Sequence, residues 1–193
     1  MHPVELTFYK LVSKEIELND FENWVYTETT LEQTLDSDNY LEIISINYKT
    51  PSSLYEAQKV LSKYFSMGKY YEWSIRNILH KIIAKPHDVD KYIEQCYDLY
   101  CEGFGFMDNL GLGYGLGLTC PDGFNDKVDE FYPHIAEEAE RVILWLDTRK
   151  IVITWHSGEY RGIEYDDNRS PNEKEPTGYK IQKSDGSFGS KYS

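Results

Sequence analysis

Three cysteines, Cys96, Cys101 and Cys120, and five histidines, His2, His80, His87, His134 and His156, are the residues best suited to nucleophilic or metal chemistry. Their spacing speaks against both. A zinc site needs convergent thiolates or imidazoles, and the chain has neither HExxH nor two histidines at HxxxH spacing. Cys96 and Cys101 miss the CxxC spacing. They fall among apolar residues of a predicted helix, where thiols act as small hydrophobes. Cys120 stands in TCPDG, and pairing with His134 or His156 is the one Cys–His arrangement open to it. No GxSxG is present. Carboxylates are so abundant, at 33, that an acid–base pair could arise anywhere, and the abundance itself carries no signal. Glu137, Glu138 and Glu140 beside Arg141 read as a solvated helix face with local ion pairs.

The stretch from Gly103 to Gly123, GFGFMDNLGLGYGLGLTCPDG, invites a phosphate-loop interpretation and fails it. There is no GxxxxGK[ST] and no GxGxxG, and no Lys or Arg lies between 103 and 120 to meet a phosphate. Glycines alternating with large apolar residues suit a tightly packed turn or short flat strands, where another backbone comes close. No cofactor and no metal are therefore expected, and the chain is expected not to be an enzyme. The alternative is an enzyme of unrecognised class with a ligand loop near 103–117. It requires a deep pocket there, lined by polar side chains. A further alternative is a structural subunit whose Tyr-rich faces are buried in a larger complex.

Charge bounds the partners. The net charge is −13, from 33 acidic and 20 basic residues. Nucleic-acid binding by a basic surface is disfavoured, because phosphate neutralisation dominates that affinity. Anionic membranes are disfavoured for the same reason. Residues 1–50 carry −7 and residues 101–150 carry −6, while 51–100 and 151–193 are near neutral at +1 and −1. Two readings fit this distribution: solubility, or an acidic face that meets a basic protein partner, since complementary charge speeds encounter and rejects wrong partners. Seventeen tyrosines, each an apolar ring with one polar end, suit half-buried and interface positions. Trp155 alternates with Ile151 and Ile153 and is expected in a core. Tyr160 and Tyr165 are candidate surface anchors.

The elements that would position these residues follow from hydrophobic periodicity. The start, through Val4, Leu6, Phe8 and Leu11, fits a strand or a helix. Asp20 is a plausible N-cap for a helix carrying Phe21, Trp24, Val25, Leu31 and Leu35 on one face. Residues 40–46 suit a buried strand, or a short helix capped by Ser37 or Asp38. Ser53 with Glu56 reads as a capping box, and Gly68 as the stop of that helix. Further helices are expected over about 70–84, ended by Pro86, from Asp88 or Asp90 to about Tyr100, and from Asn125 or Asp126 to about Leu146. Residues 151–165 read as a hairpin turning at Ser157-Gly158. The expected fold is helix-dominated α+β, with four or five helices and a few short strands. Residues 1–165 would form one domain and 166–193 a polar tail, loose or edge-associated. The odd cysteine count, with neither a secretion signal nor a membrane span, points to a cytoplasmic protein with reduced thiols.

One pattern goes further. The segment FENWVYTETTLEQTLDSDNYLEIISINYK pairs Phe21-Glu22, then Trp24-Val25-Tyr26, Leu31-Glu32, Leu35 and Tyr40-Leu41-Glu42 before a β-branched run. It resembles immunity proteins of bacterial polymorphic toxin systems. The resemblance covers about 30 of the 193 residues. It implies a small, acidic, cytoplasmic and catalytically silent inhibitor that covers a toxin's active site. The partner would be a protein, a basic toxin domain, with Glu28, Glu32, Asp36 and Asp38 as steering charges.

Overall fold

The computed structural model describes residues 3–119, 127–154, 164–178, 180–182 and 188–190. The chain divides into two compact units, Met1–Tyr70 and Tyr71–Ser193. Helix dominates, as the periodicity predicts, with two short antiparallel sheets. The helices are more numerous than the expected four or five: ten α-helical segments occur among the described residues. The excess comes from short pieces that sequence periodicity merges or misses.

In the first unit α1 (Pro3–Val12) resolves the ambiguous start as a helix, burying Val4, Phe8, Tyr9 and Leu11. Helix α2 (Leu18–Thr27) begins ahead of Asp20, with Glu17 at the N-cap, and buries Phe21 and Val25. The long helix expected from Phe21 to Leu35 is broken. The Glu28 carboxylate accepts from the Thr30 amide (2.9 Å) and hydroxyl (2.7 Å), which supports a turn before α3 (Leu31–Thr34). Residues 37–44 are helical (α4, Ser37–Ile44), not a strand. Asp36 is the N-cap and accepts from the Asn39 amide at 2.9 Å. In α5 (Ser53–Leu61) the expected capping box is absent. The Ser53 hydroxyl is turned inward and donates to the Thr50 carbonyl at 2.6 Å. Gly68 does not stop this helix; it lies in the first turn of α6 (Met67–Ala84). The unit's core gathers Phe8, Phe21, Leu31, Ile43, Ala57, Val60 and Leu61. A buried Tyr48 hydroxyl donates to the Ile43 carbonyl at 2.8 Å.

The second unit is built around α7 (Val89–Glu102), which ends at Gly103 in the left-handed conformation, φ +116°. Its inner face buries Val89, Ile93, Cys96 and Leu99. Cys96 is fully buried, whereas Cys101 is exposed and is not the core thiol that the apolar run suggests. The glycine-rich stretch packs against another backbone, but as helix and not as turn or strand. A 3-10 turn (Gly105–Met107) leads into a π-helical run (Asn109–Gly115) and then α8 (Leu116–Thr119). A Cβ on Gly111 would stand 2.7 Å from Tyr100 Cβ and 2.8 Å from the Cys96 carbonyl oxygen. On Gly115 it would stand 2.9 Å from the Ile93 carbonyl oxygen. Glycine at a four-residue interval is what lets the run lie directly on α7.

The helix expected from Asn125 or Asp126 starts later. A 3-10 turn (Val128–Phe131) is followed by Pro133 and then α9 (His134–Asp147). Proline lacks an amide hydrogen and is tolerated only at a helix start, so a single helix cannot run through it. Strand β1 (Ile151–Thr154) pairs antiparallel with β2 (Glu164–Asp167), Ile151 opposite Asp167 and Ile153 opposite Tyr165. The expected turn at Ser157-Gly158, with Trp155, His156 and Tyr160, lies outside the described residues, as do His2 and Cys120. After β2 come α10 (Pro171–Lys174), β3 (Lys180–Gln182) and β4 (Phe188–Ser190), the last two paired antiparallel.

Candidate functional site

The four predicted steering charges follow one another through the α2–α4 segment, but they do not share one role. Glu28 is tied to the α2–α3 turn through Thr30. Glu32 and Asp38 are exposed, on α3 and in the first turn of α4. Asp36 works structurally. Its carboxylate accepts from the Tyr64 hydroxyl and from the Asn39 side-chain amide at 2.8 Å, besides capping α4. The Tyr64 hydrogen bond first, then the Asn39 amides, hold its pKa below the usual carboxylate range. Lys63 reaches the same patch, 2.8 Å from Asn39 Oδ1 and 3.2 Å from Glu42 Oε2. Tyr165 is half-buried. Its ring meets Phe106 edge-on, with centroids 5.0 Å apart, at the margin of the second unit's core.

Two features of this segment escape periodicity. From Glu15 to Tyr48 there are nine carboxylates and neither Lys nor Arg. Within that run Tyr26 and Leu41 are 59% and 57% exposed. The Tyr26 hydroxyl donates to the Ile44 carbonyl at 3.1 Å, which ties the ring to the end of α4. An exposed aromatic held in one orientation has given up little further entropy when it is buried by a partner. A hollow of about 290 Å³, lined by Glu42, Ser45, Ile46, Glu56, Lys59 and Val60, lies between the end of α4 and α5.

A polar cluster lies in the second unit, on α9. Glu138, Arg141 and Trp145 are spaced to lie along one helix face. Glu137 and Glu140 are exposed as expected, but Glu138 is only 8% exposed, so the reading of all three as a solvated face fails there. Arg141 Nη2 donates to Glu138 Oε1 at 2.5 Å, and the guanidinium stacks on Trp145, 4.5 Å from the ring centroid. Buried Asn109, from the π-helical run, supplies an amide oxygen that accepts from Arg141 Nη2 (2.8 Å), the Thr177 amide (3.2 Å) and the Thr177 hydroxyl (2.6 Å). Arg141 Nε is buried and has no acceptor among the described residues; it belongs to the guanidinium stacked on the indole. Tyr114, His134, Glu137, Glu138, Arg141 and Thr177 border a cavity of about 180 Å³. His134 Nδ1 lies 3.2 Å from Glu137 Oε2. Burial pushes the Tyr114 hydroxyl up to about 12, so it stays protonated and accepts from the Lys180 amide at 3.4 Å.

Chemically this cluster is a joint. Its buried acid is neutralised by the half-buried Arg141, and its hydroxyls are engaged in the network. Among the described residues of the glycine-rich stretch only Tyr114 borders the cavity, whose volume is below the roughly 300 Å³ of ordinary ligand sites. Among the described residues no three His, Cys, Asp or Glu side chains converge as metal ligands, and no helix is long and apolar enough to cross a membrane. The signal that sequence reading missed was Asn109: an amide in an otherwise apolar, glycine-rich run needs partners once buried.

No protein-family model, curated protein or solved structure matches the chain.

Proposed function

We propose that the chain is a protein-binding module that neutralises a basic partner in the cytoplasm without catalysis, in the manner of an immunity protein covering a toxin's active site. The observation that carries this reading is the α2–α4 segment. The nine carboxylates from Glu15 to Tyr48, seven of them within α2–α4 and none followed by a base in that run, supply a field that attracts a cationic surface. The exposed Tyr26 and Leu41 supply apolar anchors within it. Steering and anchoring are then separate tasks. Exposed acids such as Glu32 and Asp38 raise the encounter rate, and the anchors set the lifetime of the complex.

The test is calorimetric binding to the product of the adjacent gene, at low and moderate ionic strength, followed by rescue of cells expressing that product. Tight binding that weakens as salt rises, together with rescue, supports the reading. Absence of binding at both ionic strengths removes it.

A further inference from the structure

We propose that residues 168–178 form an electrostatic latch over α9, one that opens without unfolding the second unit and uncovers the Asn109–Glu138–Arg141 cluster. The inference is independent of the proposed function and rests on the composition of the seam.

Residues 168–178 are all exposed or half-buried and α10 buries none of its residues, although the Arg169 side chain, 7% exposed, is tucked against Trp145. Ion pairs and hydrogen bonds tie this segment down. Arg169 forms a two-pronged pair with Asp167 (3.0 and 2.9 Å) and stacks on Trp145 at 4.4 Å. Lys150 bonds Glu173, and Lys174 Nζ reaches the Asp167 carbonyl at 3.1 Å. Thr177 closes the far end through its amide and hydroxyl on Asn109. Inside α10 a capping box on Ser170 and Glu173 keeps the turn formed.

What lies beneath is polar as well: Asn109, Glu138 and Arg141. Trp145 therefore carries two guanidinium groups, one from α9 and one from the latch, each neutralised by its own carboxylate. Opening exchanges these contacts for water. The main apolar cost is the part of the Trp145 indole that Arg169 covers. Segments with few buried apolar contacts open at a fraction of the global unfolding free energy. A seam made of ion pairs also weakens as salt screens it, the Debye length falling to about 3 Å at 1 M.

Residue-resolved hydrogen exchange of the full chain, read by NMR, tests this. The reporters are the amides bonded outside the segment: that of Asn168, on the Lys150 carbonyl, and that of Thr177, on Asn109. At low salt their protection factors are expected to be at least about tenfold below those of α9, and to fall by about a further tenfold at 1 M salt. Thr177→Val and Arg169→Gln should each lower them while leaving α9 unchanged. Reporter amides that exchange in step with α9 overturn the proposal. So do reporters indifferent to both salt and Thr177→Val, a comparison that holds even if Arg169→Gln fails to fold.

Discussion

At the scale of single residues, the sharpest constraint is the approach of the π-helical run to α7. Replacing Gly111 with Ala has two opposed effects. Alanine favours a helix by about 1 kcal/mol over glycine. Its Cβ, however, would stand 2.7 Å from Tyr100 Cβ and 2.8 Å from the Cys96 carbonyl oxygen, and neither atom is at the free end of a side chain. Overpacking of that kind costs about 1–3 kcal/mol, so the clash wins. Gly111→Ala should lower the urea midpoint with little change in its slope. Gly105→Ala should cost less, because the atom it meets, the Tyr165 hydroxyl at 2.9 Å, ends a side chain that can shift. Equal losses at both positions would contradict this account. A second residue-scale expectation concerns acid. The Lys150 ammonium first, then the Ser170 hydroxyl and amide, hold the Glu173 carboxyl at about 2, against an ordinary value of 4.5. A depressed pKa stabilises the latched form above the unfolded value, and that contribution is lost as pH falls from about 4.5 towards 2. Carboxyl-detected NMR should find Glu173 titrating well below 4.5, and Lys150→Ala should raise it towards that value.

At the scale of elements, stability follows burial on the long helices. Leu79 on α6 and Ile93 on α7 are fully buried, so truncation of either to Ala should cost about 2–5 kcal/mol in urea unfolding. Those helices were legible in the sequence because each carries a long apolar run, which Pro86 ends for α6; the stop of α7 at Gly103 comes from the structure. The shorter pieces were less so: α4 stood open as strand or short helix, and α3 was merged into the helix before it. Helix α3 has four residues and α4 has eight, too few for a period to declare itself. Their boundaries rest on side-chain bonds, Glu28 to Thr30 and Asp36 to Asn39, that become visible only once the chain is folded. The glycine-rich run was read correctly as a place of close backbone approach, and wrongly as turn or strand. Alternation in glycine and leucine mimics a strand period, whereas the spacing that matters is the interval from Gly111 to Gly115 along one helical face. The candidate joint shows the same limit. Glu138 looked like its neighbours Glu137 and Glu140, and what separates it is Asn109 and Thr177 arriving from distant parts of the sequence.

At the scale of the whole molecule, a charge of −13 raises the question of whether any binding is steered by total charge or by its placement. The first unit holds eleven acids and six bases, the second twenty-two acids and fourteen bases. Excess acid is thus present in both, and net charge alone would attract a basic partner to either. Placement is tested by two triple variants that remove the same charge. Glu28→Gln, Glu32→Gln and Asp38→Asn thin the α2–α4 segment and spare Asp36, whose loss would uncap α4. Asp90→Asn, Glu94→Gln and Glu140→Gln remove three exposed charges from the second unit. If the α2–α4 segment steers, the first triple should slow association by about tenfold and flatten its salt dependence, with little change in dissociation. The second triple should do far less. Leu41→Ala, at a 57% exposed position, should leave stability within about 0.5 kcal/mol yet speed dissociation, because anchors act on the lifetime of a complex. Equal slowing by both triples would mean that the field of the whole molecule guides the encounter. The nine carboxylates between Glu15 and Tyr48 would then be a share of the total charge and not a binding face.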